Sequence, residues 1–177
     1  MKHFRPIVLL AALLLGACRY PNEFRNVQAN EPHAVLRGTT YPNAGGIFAG
    51  HVNGQPTSFW RSSDVFRIPA GDTRCETAFS DRKETICYQT ARFSAVVNRT
   101  YVIERKREPG VASPFSTVPH PTTPNSWAIH DRRDRAVIRE TRSNGAERIV
   151  AEVPRESYVL GVESSAAAIS EYRRENP

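Results

Sequence analysis

The chain holds only 3 cysteines, 1 methionine and 2 tryptophans in 177 residues. Cysteines this sparse exclude a disulfide-framework scaffold and a multi-zinc protein. No apolar run approaches the roughly 20 residues that a membrane-spanning helix needs. The longest, residues 7–15, is about half that length. There is no His-Glu-x-x-His, no Gly-x-Ser-x-Gly and no glycine-rich phosphate loop. Beyond the first residues the histidines are His33, His51, His120 and His130, and no two of them stand at metal-ligand spacing. The sequence therefore offers no catalytic residue, no metal ligand and no cofactor site. His130-Asp131-Arg132-Arg133-Asp134 is the most suggestive cluster, but neighbours on a strand point to opposite faces, so Asp131 does not orient His130. It reads as a charged turn.

What is present describes one folded domain. At 40% hydrophobic and 24% charged residues the composition is that of a globular chain with a real core. The formal charge is +6, and arginine supplies almost all the positive charge, 21 residues against 3 lysines. Arginine forks suit phosphate and carboxylate groups.

Lys2 and Arg5 precede the apolar run, and Leu15-Gly16-Ala17-Cys18 follows it. A positive start, a short apolar segment and small residues form a secretory leader. The last four residues resemble the lipobox of bacterial lipoproteins. That resemblance implies cleavage before Cys18 and acylation of Cys18, which anchors the chain to a membrane because two or more acyl chains hold stably. Arg19 fits the outer membrane, with the domain facing the periplasm. Losing residues 1–17 removes Lys2 and Arg5 and leaves 22 basic and 18 acidic side chains. Nucleic acid is excluded as a partner by compartment and by the lack of any recognised motif.

Cys75 and Cys87 then remain, an even pair in an oxidising compartment with eleven residues between them. A disulfide closing that loop is expected, worth roughly 3 kcal/mol in the chain-entropy description.

Residues 19–32, broken by Pro21 and Pro32, read as a tether, and the following segment alternates with the period of half-buried strands. In residues 87–97, Cys87, Gln89, Ala91, Phe93, Ala95 and Val97 form the inward set, with Gln89 out of character. Further strands are expected over 34–39, 46–52, 57–60, 73–79, 99–104, 126–130, 135–141 and 147–153. Asn53-Gly54 and Asn144-Gly145 supply hairpin turns, and Ile68 to Asp72 another. Residues 117–125, with Pro119, Pro121 and Pro124, read as an exposed loop. Residues 162–175 favour helix. The expected organisation is a leader over 1–17, a tether over 18–32, a β-domain over 33–154 and a tail, helical in part, over 155–177. Seven to nine short strands predict an all-β, antiparallel sandwich, with a small closed barrel as the alternative.

Pro69-Ala70-Gly71, Asn98-Arg99-Thr100-Tyr101 and Trp127 through Asp131 resemble motifs of small Gram-negative envelope lipoproteins with a transthyretin-like or immunoglobulin-like sandwich. Asn98 stands where that pattern has glycine, and asparagine tolerates the same left-handed conformation. The resemblance implies fold and location, and many such proteins have no assigned activity. Three functions follow as expectations. The first is a non-enzymatic module that contacts an envelope protein through a sheet edge or the proline-rich loop. The second is a binder of anionic glycan or lipid, such as lipopolysaccharide or peptidoglycan, through Trp60, Arg61, Arg67 and Arg92; it requires the arginines to gather on one face. The third is an envelope hydrolase in which His51 or His130 meets an acid and a nucleophile.

Overall fold

Alternation with period two makes strands, and here it makes almost nothing else. A computed structural model describes residues 24–57, 65–108 and 115–177. These residues form β1 (Ala34–Arg37), β2 (Thr39–Tyr41), β3 (Gly45–Val52), β4 (Gln55–Pro56), β5 (Val65–Ile68), β6 (Gly71–Ser80), β7 (Thr85–Tyr88), β8 (Ala91–Ala95), β9 (Thr100–Arg107), β10 (Ser116–Pro119), β11 (Ser126–Thr141), β12 (Glu147–Leu160) and one helix, α1 (Ser165–Glu175). The protein is all-β with one short helix.

The twelve strands form one sheet in the order β2-β3-β6-β7-β12-β11-β9-β1-β5, with β4, β8 and β10 attached to β3, β6 and β11. Where two packed antiparallel sheets were expected, a single mixed sheet curls into a half-barrel, and β1 runs parallel to β9. The curl follows from β1 and β2, which are separated only by Gly38 yet pair at opposite ends of the path. It brings β2 against β9: Thr39 Oγ1 donates to the Ile103 carbonyl at 2.7 Å, and the Arg105 N–H donates to the Tyr41 hydroxyl at 2.7 Å. The trough encloses the main core, including Leu36, Ile47, Val52, Ile68, Tyr101, Ile103 and Ile138. Burying each such aliphatic side chain contributes roughly 1.5–3 kcal/mol.

Two expected strands, 126–130 and 135–141, are the single strand β11, so the charged cluster between them is not a turn. It is a bulge: Asp131 pairs with Arg155 and Arg135 with Pro154, leaving three residues of β11 without partners on β12. The proline-rich segment is loop only in part, since β10 occupies its start and ends at Pro119, as suits a short edge strand. Strand pairing runs on through β12 to Leu160, beyond residue 154. Ser164 caps α1 by accepting the Ala167 N–H at 3.2 Å. The helix lays Ala168 and Tyr172 on Ile129 and Val159, beside Phe115 and Trp127. Among the described residues no helix is long and apolar enough to cross a membrane. The described part of the expected tether is docked: the Phe24 N–H donates to the Pro56 carbonyl at 2.7 Å, and the Val27 N–H to the Arg67 carbonyl at 3.0 Å.

The expected Cys75–Cys87 disulfide is absent, and both thiols are free. The stretch 87–97 is not one strand but parts of two, β7 and β8, interrupted at Gln89 and Thr90. Across that break the inward set changes parity, from Ile86 and Tyr88 to Ala91, Phe93 and Ala95. Cys87 therefore faces outward. It pairs with Ala78 of β6, three residues from Cys75, which faces the core. Burial pushes the Cys75 thiol up to about 12, and burial with the Glu156 and Glu76 charges raises that of Cys87. With Cys18 replaced by serine, maleimide should label Cys87 in the native protein and Cys75 only after unfolding. Peptide mass mapping checks this, and a 75–87 cross-linked peptide would contradict it.

Candidate functional site

Of the residues expected at a site, Cys18, Trp60 and Arg61 lie outside the described residues. Arg67 and Arg92 are not brought together. Arg67 secures the docked N-terminal segment, donating from Nε to the Val27 carbonyl at 2.7 Å, while its N–H donates to Asn26 Oδ1 at 2.6 Å. Arg92 on β8 faces Arg74 on β6, and like charges directly opposite repel. Arg105 is taken by Asp134 in a two-pronged pair at 3.0 and 2.7 Å.

His130 does meet other polar side chains, through long-range register. Ser116, His130, Glu156 and Cys87 stand abreast on β10, β11, β12 and β7. His130 Nε2 lies 3.0 Å from Glu156 Oε2 and 2.8 Å from the Gln89 amide nitrogen, and Nδ1 lies 3.1 Å from the same nitrogen and 3.4 Å from Ser116 Oγ. A carboxylate only accepts, so Nε2 carries the proton toward Glu156. The Gln89 amide nitrogen lies within hydrogen-bond distance of both ring nitrogens, so Gln89, out of place on a core face, is explained as a partner of this ring. A Ser-x-x-Lys spacing, Ser80 to Lys83, falls in the β6–β7 turn, where Ser80 Oγ pairs with Thr85 Oγ1 at 3.2 Å and the Lys83 N–H donates to Asp81 Oδ1 at 2.7 Å. Turn chemistry accounts for it. Among the described residues no group of three or more His, Cys, Asp or Glu could hold a metal ion.

The outer face of β10, β11 and β12 is the more distinctive surface. Val118, Ala128 and Tyr158 form the next row beyond His130, and Leu160 follows opposite Ser126. Val118, Tyr158 and Leu160 are 49%, 53% and 66% exposed, with the small Ala128 between the first two. The His120 ring sits edge-on to Tyr158 at 5.1 Å. The other face of the same strands, with Trp127, Ile129 and Val159, is covered by α1. Trp127 anchors that side by donating from Nε1 to the Val162 carbonyl at 3.2 Å. Among the described residues β10 pairs with β11 alone, so it is a sheet edge.

Beneath α1 the bulge buries two carboxylates. Asp131 accepts Arg133 Nη2 at 2.7 Å and the Tyr172 hydroxyl at 3.1 Å, and Asp134 accepts the Tyr88 hydroxyl at 2.9 Å. A cleft of about 360 Å³ opens beside them. At the far end of β11 a third carboxylate, Glu140, is fully buried. Arg99 Nη1 reaches Oε1 at 2.7 Å, Arg142 Nε reaches Oε1 at 3.3 Å, and Arg148 donates from Nε to Oε1 at 3.2 Å and from Nη2 to Oε2 at 3.1 Å. The Tyr101 hydroxyl donates to Oε2 at 3.2 Å. Burial alone would raise this carboxyl, but the hydrogen bonds from Arg148, Arg99 and Arg142 more than reverse it and hold it at about 2. Sequence reasoning missed Arg142 and Arg148. Counting outward from the Asn144-Gly145 turn through the pair Thr141–Glu147 would have set Glu140 opposite Arg148.

No family model matches this chain, and no curated protein or solved structure matches it.

Because the Glu140 carboxyl lies below its ordinary value of 4.5, its contribution to stability is complete above that pH and is lost as the pH falls toward 2. Urea titrations at a series of pH values should show that loss in the native protein and not in Glu140→Gln. Glu140→Ala, which removes the shared acceptor of Tyr101 and three partly exposed guanidinium groups, should cost roughly 1–3 kcal/mol.

Proposed function

We propose that this protein is a lipid-anchored lipoprotein of the cell envelope, held through acylated Cys18 at the periplasmic face of the outer membrane, that serves as a non-enzymatic interaction module. The observation that supports the reading is the open outer face of β10–β12. Three exposed apolar side chains, Val118, Tyr158 and Leu160, sit beside an edge strand, while α1 seals the opposite face. Exposed apolar groups gathered at an edge lower their free energy when a partner covers them, and an edge strand offers main-chain hydrogen bonds to an added strand. The occupant is an extended segment of an envelope protein, adding to β10 and placing alternate side chains against Tyr158 and Leu160. Kinship with transthyretin-like or immunoglobulin-like envelope lipoproteins belongs to the same proposal, supported by the quoted motifs and by Asn98 at φ 61°.

A photo-cross-linking residue at position 158 or 160, in intact cells, should capture one discrete protein that persists in high salt. The same residue at position 82, in the β6–β7 turn, should not. Mass spectrometry should place the link in an extended segment of the partner, and Val118→Lys should abolish capture. Adducts to lipid alone, or equal capture at all three positions, would remove the reading.

A further inference from the structure

Glu140 gathers more positive charge than it neutralises. Three guanidinium groups converge on one carboxylate, and among the described residues Arg99, Arg142 and Arg148 have no other ion-pair partner. A carboxylate presents about four lone-pair sites, and five donors already reach this one, so its accepting capacity is full. Each guanidinium has five donors, and Glu140 takes one from Arg99, one from Arg142 and two from Arg148. The remaining donors sit on side chains that are 27%, 45% and 55% exposed, above a carboxylate with no exposure. Two positive charges are left over, at fixed positions and facing water.

The placement of Arg148 is built into the backbone. Ile138 pairs with Ala151 and Arg139 with Ile149, so Val150 is an extra residue on β12. This bulge changes the parity of the strand: Ala151 lies on the core side, Ile149 is exposed, and Arg148 returns to the core side opposite Glu140. A bulge re-aims side chains in this way. Arg142, two residues after Glu140 and on the same face of the extended chain, reaches the same carboxylate.

We infer that Arg99, Arg142 and Arg148, oriented by Glu140, form a binding site for a phosphomonoester. Such a dianion matches the two unneutralised charges, and its oxygens match the forked donors. A lipid headgroup is one source and a free phosphate ester the other. The lipid source rests on the anchoring proposed above. Phe66, Leu36, Tyr101 and Glu140 form one row across β5, β1, β9 and β11, and Phe24 packs on Phe66 with ring centroids 6.0 Å apart. Cys18 is six residues before Phe24, so an acylated Cys18 keeps Phe24 within about 20 Å of the headgroups, with the arginines three strands further along the row.

The test uses the full chain carrying Cys18→Ser, with glycerol 3-phosphate as soluble probe and with vesicles of phosphatidylcholine alone or with phosphatidic acid. The double variant R142S/R148S should weaken glycerol 3-phosphate binding at least tenfold in calorimetry. R74S/R92S, which removes the same charge elsewhere, should leave it within twofold. R142K/R148K keeps the charge but loses the forks and should show an intermediate loss, and its thermal midpoint checks the fold. No binding by the parent chain, or equal weakening by both serine pairs, would overturn the site. Preference for phosphatidic acid vesicles that glycerol 3-phosphate competes away assigns the lipid source. Glycerol 3-phosphate binding without vesicle preference retains the site and overturns the lipid source. Palmitate labelling of wild-type protein in cells, absent in Cys18→Ser, tests anchoring separately.

Discussion

β11 and β12 stay paired from Thr141–Glu147 at the turn to Ser126–Leu160 at the far end, and this one hairpin belongs to two packing units. Near the turn it walls the trough with Ala136 and Ile138, and beyond the bulge it carries the apolar patch that α1 covers. The change is one of parity. On β12 the same alternate set, Ala151, Val153, Arg155, Ser157 and Val159, continues from the core to beneath the helix. On β11 the core-side residues are even-numbered up to Ala136 and odd-numbered from Asp131, because three residues without partners on β12 intervene. Without that insertion Trp127 and Ile129 would turn outward and α1 would lose the surface it packs on.

The charges follow from the same constraint. The bulge leaves Arg132, Arg133 and Asp134 without partners on β12, and the two aspartates at its limits, Asp131 and Asp134, are buried. Asp131 and Asp134 are held by Arg133 of β11 itself, Arg105 of β9 and the hydroxyls of Tyr88 on β7 and Tyr172 on α1. Arg105 stacks its guanidinium 4.1 Å from the Phe79 ring centre, and Arg133 lies 4.9 Å from that of Phe115. Arg105 and Arg133 hold Asp134 and Asp131 inside the fold, whereas Arg67 binds the N-terminal segment and Arg92 faces Arg74. The cluster at Glu140 differs because it contains three cations and one anion.

Much of the local structure was legible. Asn53 and Gly54 both have positive φ, 52° and 79°, as a two-residue hairpin turn requires. Asn98 adopts the left-handed conformation, the C-terminal segment is helical, and Trp127 is packed. The hairpin at Asn144-Gly145 is present, although only Gly145 has positive φ. Reading 87–97 as one strand was the consequential error. A two-residue break inverted every assignment before it, moved Cys87 to the surface and removed the disulfide. Gln89 was the visible sign, a polar residue in an inward set, yet alternation alone could not say whether the residue or the register was out of place.

What the sequence determined by itself is what neighbouring residues enforce: strand period, turn chemistry, helix propensity and the sum of charge. What only the tertiary structure decided is which strands pair and where each slips. Pairing between β1 and β9 joins residues some 65 apart, and the rows Ser116–His130–Glu156–Cys87 and Leu36–Tyr101–Glu140–Arg148 exist only once registers are set across several strands. The physical reason is that a bulge costs little in local sequence preference but reverses the facing of every side chain beyond it. The faces of this protein, and with them its candidate sites, are therefore fixed by long-range hydrogen bonding.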